Sequence, residues 1–195
     1  DNIKIVNMSL GVTGSGTDTV MRAKVNSTVD AGVLVVVAAG NDGPANSIGD
    51  PGRASKVITV GAANDLNELT TYTSIGALSP GADEDNKPDL LAPGGSAFRS
   101  GILAADSNTA DGNVPGFGDV VPNDYSNLQG TSMATPFVSG SLALLIDALQ
   151  QSGTSWSFGS SAQPLFLKML LAASATELNV AREQAAANSP TLGRA

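Results

Sequence analysis

The sequence predicts an α/β protein with three layers, in which a parallel β-sheet lies between helices. Residues 3–10, IKIVNMSL, and 33–40, VLVVVAAG, are continuous apolar runs typical of strands buried on both faces of a parallel sheet. Between them, Met21, Val25 and Val29 recur at a spacing of four, which predicts an amphipathic helix. Together they form a β-α-β unit, whose crossover is expected to be right-handed.

The remaining elements follow along the chain. KVITVGAA (56–63) and DLLAPG (89–94) are predicted to be a third and a shorter fourth strand. Residues 133–150 are apolar nearly all round, which predicts a helix buried in the middle of the domain, with Pro136 tolerated in its first turn. A last helix is expected at about residues 162–174.

Two segments lack a helical or strand period. Residues 105–127 are rich in Asp, Asn, Gly and Pro, and we expect a long surface loop there. Residues 180–195 are expected to form a polar, Ala-rich tail. No internal repeat or linker divides the chain, so residues 1–195 are expected to belong to one domain.

Composition disfavours several classes of function. The formal net charge of −8 disfavours nucleic acid and anionic membrane surfaces, because binding would have to overcome like-charge repulsion. The apolar runs are interpreted as too short to span a bilayer, so no membrane partner is expected. The absence of cysteine excludes disulfides, thiolate metal sites and cysteine nucleophiles.

The segment GTSMATPFVSG, residues 130–140, is the part of the sequence that points most clearly to chemistry. A serine at the start of a helix lies where backbone N–H groups and the helix dipole favour developing negative charge. Ser132 is therefore a candidate nucleophile. Taken alone, a serine in this place is more often a helix N-cap, and the chain has no histidine to accept its proton.

Two further segments lie at the carboxyl ends of predicted parallel strands, the edge at which open α/β sheets bind ligands. Asn41, in VVVAAGNDG, could donate a side-chain N–H to an oxyanion, although Asn-Asp-Gly is also an ordinary turn sequence. Ser9, Leu10 and Gly11, in NMSLG, offer backbone groups to an extended ligand. Each segment is weakly indicative alone, but the three in this order favour a functional site.

With NMSLG, VVVAAGND, KPDLLAPG and GTSMATP in this order, the sequence resembles the subtilisin-like serine proteases, or subtilases, over nearly its whole length. The resemblance implies a subtilisin-like fold and an acyl-enzyme on Ser132, with its own N–H and the Asn41 side chain as oxyanion donors. The family's pocket usually favours an apolar or aromatic side chain. The substrate-binding residues that the resemblance implies are Ser9, Leu10 and Gly11, the pocket wall Ala38, Ala39 and Gly40, and Thr131.

The sequence departs from the subtilase pattern in two places. Phe137 stands where the family commonly has a non-catalytic histidine, which we interpret as a packing change. The family's Asp and His segments, which precede the serine, have no counterpart. We therefore expect the chain to be the C-terminal part of a catalytic domain, with about half of the sheet and an exposed edge where the missing strands would pair. The chain alone is expected to be inactive.

Three alternatives stay open at this point. The glycine-rich residues 11–18, followed by Asp42 at the end of the next strand, are similar to a dinucleotide-binding motif, but Thr19 stands where its third glycine is needed. A lysine could replace histidine as the base, although no motif directs one towards Ser132. A non-catalytic, subtilase-like module would bind a peptide or propeptide without cutting it.

The resemblance also implies partners, ions and a compartment. The expected partners are a peptide or protein substrate and the missing N-terminal half, on the same parent chain or on a separate polypeptide. A homodimer through the exposed sheet edge is the other expected assembly. No cofactor is required, and structural calcium is compatible with the acidic residues at 83–85 and 106–111, although no ligand is assigned. A secreted or extracellular location follows from the family alone.

Overall fold

The computed structural model describes residues 2–12, 19–43, 47–76, 87–105 and 125–183. Its helices and strands occur in the order β1 (Ile5–Met8), α1 (Thr19–Asp30), β2 (Leu34–Ala38), β3 (Ile58–Ala63), β4 (Glu68–Leu69), β5 (Leu90–Pro93), β6 (Ile102–Ala105), β7 (Tyr125–Leu128), α2 (Thr131–Gln151), α3 (Ala162–Ser174) and β8 (Asn179–Arg182).

A six-stranded, mostly parallel sheet forms the centre of the fold. β1, β2 and β3 lie side by side in parallel, and β5 pairs with β3 in the same direction. These are the four strands that the apolar runs predict. β4 pairs antiparallel with β3 and parallel with β8, while β6 and β7 form a separate antiparallel pair. These four strands, which have two to four residues each, were not predicted from the sequence.

Side chains of β2 build a core on each face of the sheet, because successive residues of a strand point to opposite faces. On one face, Val35 and Val37 belong to the same buried cluster as Val29 of α1. On the other face, Leu34 and Val36 belong to a second cluster with residues of α2 and α3. The predicted three-layer α/β/α arrangement is therefore confirmed.

One face of α2 packs on the sheet. Its buried apolar residues, Ala134, Val138, Leu142 and Ile146, recur at helical spacing. Leu144 on the outer face is 73% exposed, so the prediction that this helix is buried in the middle of the domain is wrong for that face. By length and composition α2 could cross a membrane, contrary to the expectation that every apolar run is too short. Core helices pass the same test, and the buried stripe of α2 contacts β1, β2, β3 and β5.

Strands occur at the ends of the predicted loop and at the start of the predicted tail. β7 includes the last residues of the predicted loop 105–127 and pairs with β6, while residues 106–124 lie outside the described part of the chain. β8 falls where the tail was predicted to begin, and the side chain of Glu183 directly after it is buried. The prediction of a tail from residue 180 is therefore wrong for these residues, and residues 184–195 lie outside the described part.

β1 forms one border of the sheet. Among the residues that the structure describes, β1 pairs with β2 on one side and with no strand on the other. An unpaired edge leaves backbone N–H and C=O groups available to a further strand. An exposed edge of this kind was expected from the sequence, although the strand that forms it was not specified.

Candidate active site

Ser132 is the second residue of α2, which begins two residues earlier than predicted. The residue before the helix is Gly130, whose φ of 148° is rarely adopted by residues with a side chain, and no side chain caps the helix. Ser132 is therefore not an N-cap, and its position excludes the capping alternative. Its N–H belongs to the first turn, where N–H groups have no partner within the helix, so it can donate to a bound anion.

The ends of β2 and β5, which both pair with β3, hold the turn that precedes Ser132. The N–H of Gly130 donates to the carbonyl of Gly94, directly after β5, at 2.9 Å. The N–H and the hydroxyl of Thr131 both donate to Oδ1 of Asn41, beyond the end of β2, at 2.9 and 3.0 Å. Because the carboxyl ends of parallel strands lie along one edge of the sheet, the fold itself brings these residues together.

The side chain of Asn41 has its amide oriented by Thr131. Since a backbone N–H can only donate, the amide atom that it meets is Oδ1, and Nδ2 is left without a hydrogen bond to any described residue. A Cβ placed on Gly130 would lie 3.5 Å from Nδ2 of Asn41 and 3.7 Å from the N of Ser132. Neither nitrogen has a hydrogen bond to a described residue, and both lie near this one point, so they are the candidate donors to an oxyanion.

Ser9 and Ser132 exchange hydrogen bonds. The hydroxyl of Ser132 donates to the carbonyl of Ser9 at 3.1 Å, and the hydroxyl of Ser9 donates to the carbonyl of Ser132 at 2.8 Å. The candidate nucleophile is therefore bonded to the backbone and not to a base. Its hydroxyl would have to turn away from the carbonyl of Ser9 to give its proton to one.

A cavity of about 340 Å³ lies beside Ser132. Small residues on one wall leave room for a substrate side chain. Every predicted site residue except Ser9 lines this cavity: Leu10, Gly11, Ala38, Ala39, Gly40, Asn41, Thr131 and Ser132. The structure thus brings together predicted residues from three separate segments of the sequence.

Asp42 and Gly49 also line the cavity, and the sequence analysis assigned neither to it. Asp42 is exposed, and its N–H donates to the hydroxyl of Ser74 at 3.2 Å. Its place directly after Asn41 was the available signal. The dinucleotide alternative requires Asp42 to bind a ribose, but Asp42 lies at the same cavity as Ser132. Residues 13–18 of that motif lie outside the described part.

A half-buried tyrosine and a buried glutamate support the strand end that carries Gly94. The single hydroxyl proton of Tyr72 is shared between the carbonyls of Gly94 and Gly95, which lie 2.8 and 2.7 Å from the phenol oxygen. Burial raises the pKa of Tyr72 to about 12, so the phenol stays a donor at neutral pH. Glu183, which is 5% exposed, accepts a hydrogen bond from the hydroxyl of Ser96 at 2.7 Å. These contacts join the end of β5 to β8.

No histidine or lysine is bonded to Ser132 in the part of the chain that the structure describes. The sequence contains no histidine. Four of the five lysines bond elsewhere: Lys4 to Asn2, Lys56 to Asp30, and both Lys87 and Lys168 to Asp89. The lysine alternative therefore gains no support from the geometry.

The described residues form no cluster of metal-binding side chains. Among the described residues, no group of three or more His, Cys, Asp or Glu side chains could hold a metal ion. The acidic residues at 83–85 and 106–111, which the sequence analysis considered for calcium, lie outside the described ranges. The calcium expectation therefore stays a prediction.

The arrangement is suited to acyl transfer. A substrate carbonyl placed over the hydroxyl of Ser132 could direct its oxygen towards Nδ2 of Asn41 and the N–H of Ser132, with a neighbouring side chain in the cavity. A base is the component that the described residues do not supply at Ser132.

Known proteins with similar sequences belong to the subtilase family. Residues 1–189 match the model of the Subtilase family. Alkaline elastase YaB of Bacillus sp. (strain YaB) is 36% identical over 158 residues, which cover 80% of this chain and 32% of that protein. Serine protease AprX of Bacillus subtilis (strain 168) is 36% identical over 154 residues, covering 74% of this chain and 34% of that protein. The chain thus spans about a third of the length of these curated relatives.

Solved structures agree with the sequence relatives. The crystal structure of a cold adapted subtilisin-like serine proteinase superposes with a TM-score of 0.62 and 29% identity. The superposition covers 90% of this chain and 50% of that one.

Proposed function

Because the chain belongs to the subtilase family, we propose that it forms the nucleophile-bearing part of a serine endopeptidase. One observation carries the proposal. Ser132, Asn41 (whose Nδ2 has no hydrogen bond to a described residue) and a wall of small residues, Ala38 to Gly40, meet at a single cavity. The proposed substrate is a peptide or protein, with the side chain before the scissile bond in that cavity.

In the proposed reaction, Oγ of Ser132 attacks the carbonyl carbon of the peptide bond while its proton passes to a base. The N–H of Ser132 and Nδ2 of Asn41 hold the oxyanion of the tetrahedral intermediate. The C–N bond then breaks, the amine leaves with the proton from the base, and an acyl ester remains on Ser132. A water molecule deprotonated by the same base hydrolyses the ester and restores the hydroxyl.

We propose that the base and the carboxylate that orients it come from residues outside this chain. The supporting observation is the complete absence of histidine. The base and the carboxylate would come from an upstream segment of the same parent chain or from a separate polypeptide. Without it the chain is expected to be inactive, since loss of the triad in a subtilisin lowers turnover on the order of a millionfold. That magnitude belongs to another member of the family.

Peptide hydrolysis tests this proposal. The assay compares the chain alone with an extended form, defined as the chain preceded by the residues that its upstream coding sequence encodes. A blocked chromogenic peptide with an apolar residue before the scissile bond serves as substrate. Only the extended form should turn over, and its Ser132→Ala variant should not. Turnover by the chain alone, or undiminished turnover by the variant, would contradict the proposal.

A non-catalytic peptide-binding module is the second candidate, and the missing histidine is the observation that favours it. The presence of both Ser132 and Asn41 at one cavity favours catalysis instead. Binding of the same peptide without cleavage by the extended form would support the module and oppose the protease.

We propose that the unpaired edge of β1 and the outer face of α2 are covered in the parent protein. Phe137 and Leu144 on that face are 47% and 73% exposed. The upstream half is the proposed partner, and a second copy of this chain is the alternative when that half is absent. Light scattering should therefore find the chain alone as a dimer or larger species and the extended form as a monomer. A monodisperse monomer of the chain alone would contradict this.

We also propose that the parent protein acts outside the cell and needs no cofactor for its chemistry. The family resemblance supports both statements. Recovery of the activity from culture medium would support secretion, and activity retained in a chelator would support chemistry without a metal. Structural calcium would appear as a lower melting temperature in the same chelator.

A further inference from the structure

Pro136 leaves the carbonyl of Ser132 without its usual donor. In an α-helix the carbonyl of each residue accepts the N–H of the residue four positions later. Residue 136 is a proline, which has no N–H. The sequence predicted this proline in the first turn of the helix. Because α2 begins at Thr131, it lies in the second turn instead. The helix therefore lacks one hydrogen bond at the carbonyl of the candidate nucleophile.

The hydroxyl of Ser9 supplies a hydrogen bond to the carbonyl of Ser132 in place of the missing helical one. It donates to the carbonyl oxygen of Ser132 at 2.8 Å, across 123 positions of sequence. The same hydroxyl accepts a hydrogen bond from Nδ2 of Asn7 at 2.9 Å. A serine hydroxyl has one proton, so accepting from Asn7 leaves that proton for the carbonyl of Ser132.

Asn7 is in turn fixed by α2 itself. Its Oδ1 accepts a hydrogen bond from the hydroxyl of Ser139 at 2.8 Å. The resulting series of hydrogen bonds, Ser139 to Asn7 and Asn7 to Ser9 to Ser132, leaves α2 after Pro136 and returns to it before Pro136. It ties both sides of the proline to the end of β1.

We propose that Ser9 is a positioning residue whose hydroxyl replaces the N–H that Pro136 lacks and so fixes Ser132 against the end of β1. The subtilase resemblance assigns Ser9 only as a backbone partner of the substrate, so this is a second role carried by its side chain. The effect of this contact on catalysis rests on the proposed function, in which Ser132 is the nucleophile. A nucleophile misplaced by about 1 Å can lose roughly a hundredfold in rate. The hydrogen bond itself does not depend on that function.

A double-mutant cycle read by amide hydrogen exchange tests the contact in the chain alone. Ser9→Ala removes the hydroxyl, and Pro136→Ala restores an N–H that can reach the carbonyl of Ser132. We expect Ser9→Ala to speed exchange at the first-turn amides of Met133 and Ala134 about tenfold relative to Leu142. With Pro136→Ala also present, the increase should be about twofold or less.

Ser141→Ala is the matched control. The hydroxyl of Ser141 also donates to a carbonyl of α2, that of Phe137, at 3.0 Å. The carbonyl of Phe137 keeps its helical donor, the N–H of Ser141, so removing the hydroxyl should leave exchange in the first turn unchanged. Equal effects of Ser9→Ala with and without Pro136→Ala would overturn the inference. Uniform acceleration that includes Leu142 would also overturn it.

A kinetic measurement on the extended form tests positioning. Ser9→Ala should lower kcat about tenfold with KM within about twofold, and Ser141→Ala should change neither. An unchanged kcat in Ser9→Ala would overturn the positioning role. If no form hydrolyses peptides, the proposed function fails, and the exchange cycle still decides whether Ser9 replaces the missing donor.

Discussion

The two ends of the Asn41 side-chain amide have different proposed roles: the oxygen holds Thr131, and the nitrogen donates to an oxyanion. Its Oδ1 accepts both hydrogen bonds from Thr131, and Nδ2 stays unpaired beside Ser132 among the described residues. Asn41→Asp keeps an oxygen for Thr131 and removes the donor. In the extended form we expect kcat to fall by at least about a hundredfold, with KM within about threefold. That magnitude is the one known for loss of the equivalent donor in a subtilisin, a member of the same family.

The control for this change is Asn67→Asp, which exchanges the same atoms at an exposed asparagine before β4. It should leave kcat unaltered. A kcat of Asn41→Asp within a factor of two of the unmodified protein would remove Asn41 from the oxyanion site.

Lys87 makes stability depend on pH. It is 7% exposed and donates to Asp89 at 2.6 Å and to the carbonyl of Val57 at 3.0 Å. Burial lowers its pKa from 10.5 to about 8, and the opposing attraction of Asp89 only partly offsets this. Between these two values the unfolded chain binds more protons than the folded one, so the free energy of unfolding rises with pH.

The prediction for Lys87 concerns the window from pH 8 to pH 10. The free energy of unfolding, measured with denaturant, should rise by about 1 kcal/mol per pH unit more than in Lys87→Met. Lys56→Met, which removes a surface lysine paired with Asp30, should keep the slope. The range stops at pH 10 because Tyr72, whose pKa is raised from 10.0 to about 12, lowers stability above that value. Equal slopes in the Lys87→Met variant and the unmodified chain would contradict the assignment.

At the scale of elements, α2 is held by one stripe of apolar side chains. Leu142 is fully buried between α2 and the sheet, whereas Leu144 on the outer face is 73% exposed. Leu142→Ala should lower the free energy of unfolding by about 2–5 kcal/mol, because it removes transfer energy and leaves a cavity. Leu144→Ala should change it by less than about 0.5 kcal/mol in the chain alone. Similar losses for the two variants would contradict the observed orientation of the helix.

The elements that the sequence predicts are those whose own residues determine them. β2 and β3 are buried on both faces, so their continuous apolar residues are sufficient to identify them. β8 is different, since its place depends on a distant partner: the N–H of Glu183 beside it donates to the carbonyl of Leu69 at 2.8 Å. The exposed outer face of α2 was missed for a related reason. The apolar composition of a helix does not indicate whether each of its faces is covered by another part of the protein.

At the scale of the whole molecule, the order of the motifs predicts the site because parallel strands end at one edge. That rule brings Ser9, Asn41 and Ser132 together from three segments of the sequence. The rule does not give side-chain pairing, and so the hydrogen bond from Ser9 to the carbonyl of Ser132 was not predicted. Gly49 was missed because no periodic pattern connects it to the cavity that it lines.

The central claim is that this chain carries a nucleophile, its oxyanion donors and a pocket, but not the base. Intact-mass spectrometry under denaturing conditions, before and after treatment with a fluorophosphonate, tests it most directly. The 195-residue chain alone should keep its unmodified mass, and the extended form should gain one adduct, which Ser132→Ala abolishes. An adduct on the chain alone would show that a base is present within it and would contradict the claim. A lack of any adduct on the extended form would contradict the assignment of Ser132 as the nucleophile.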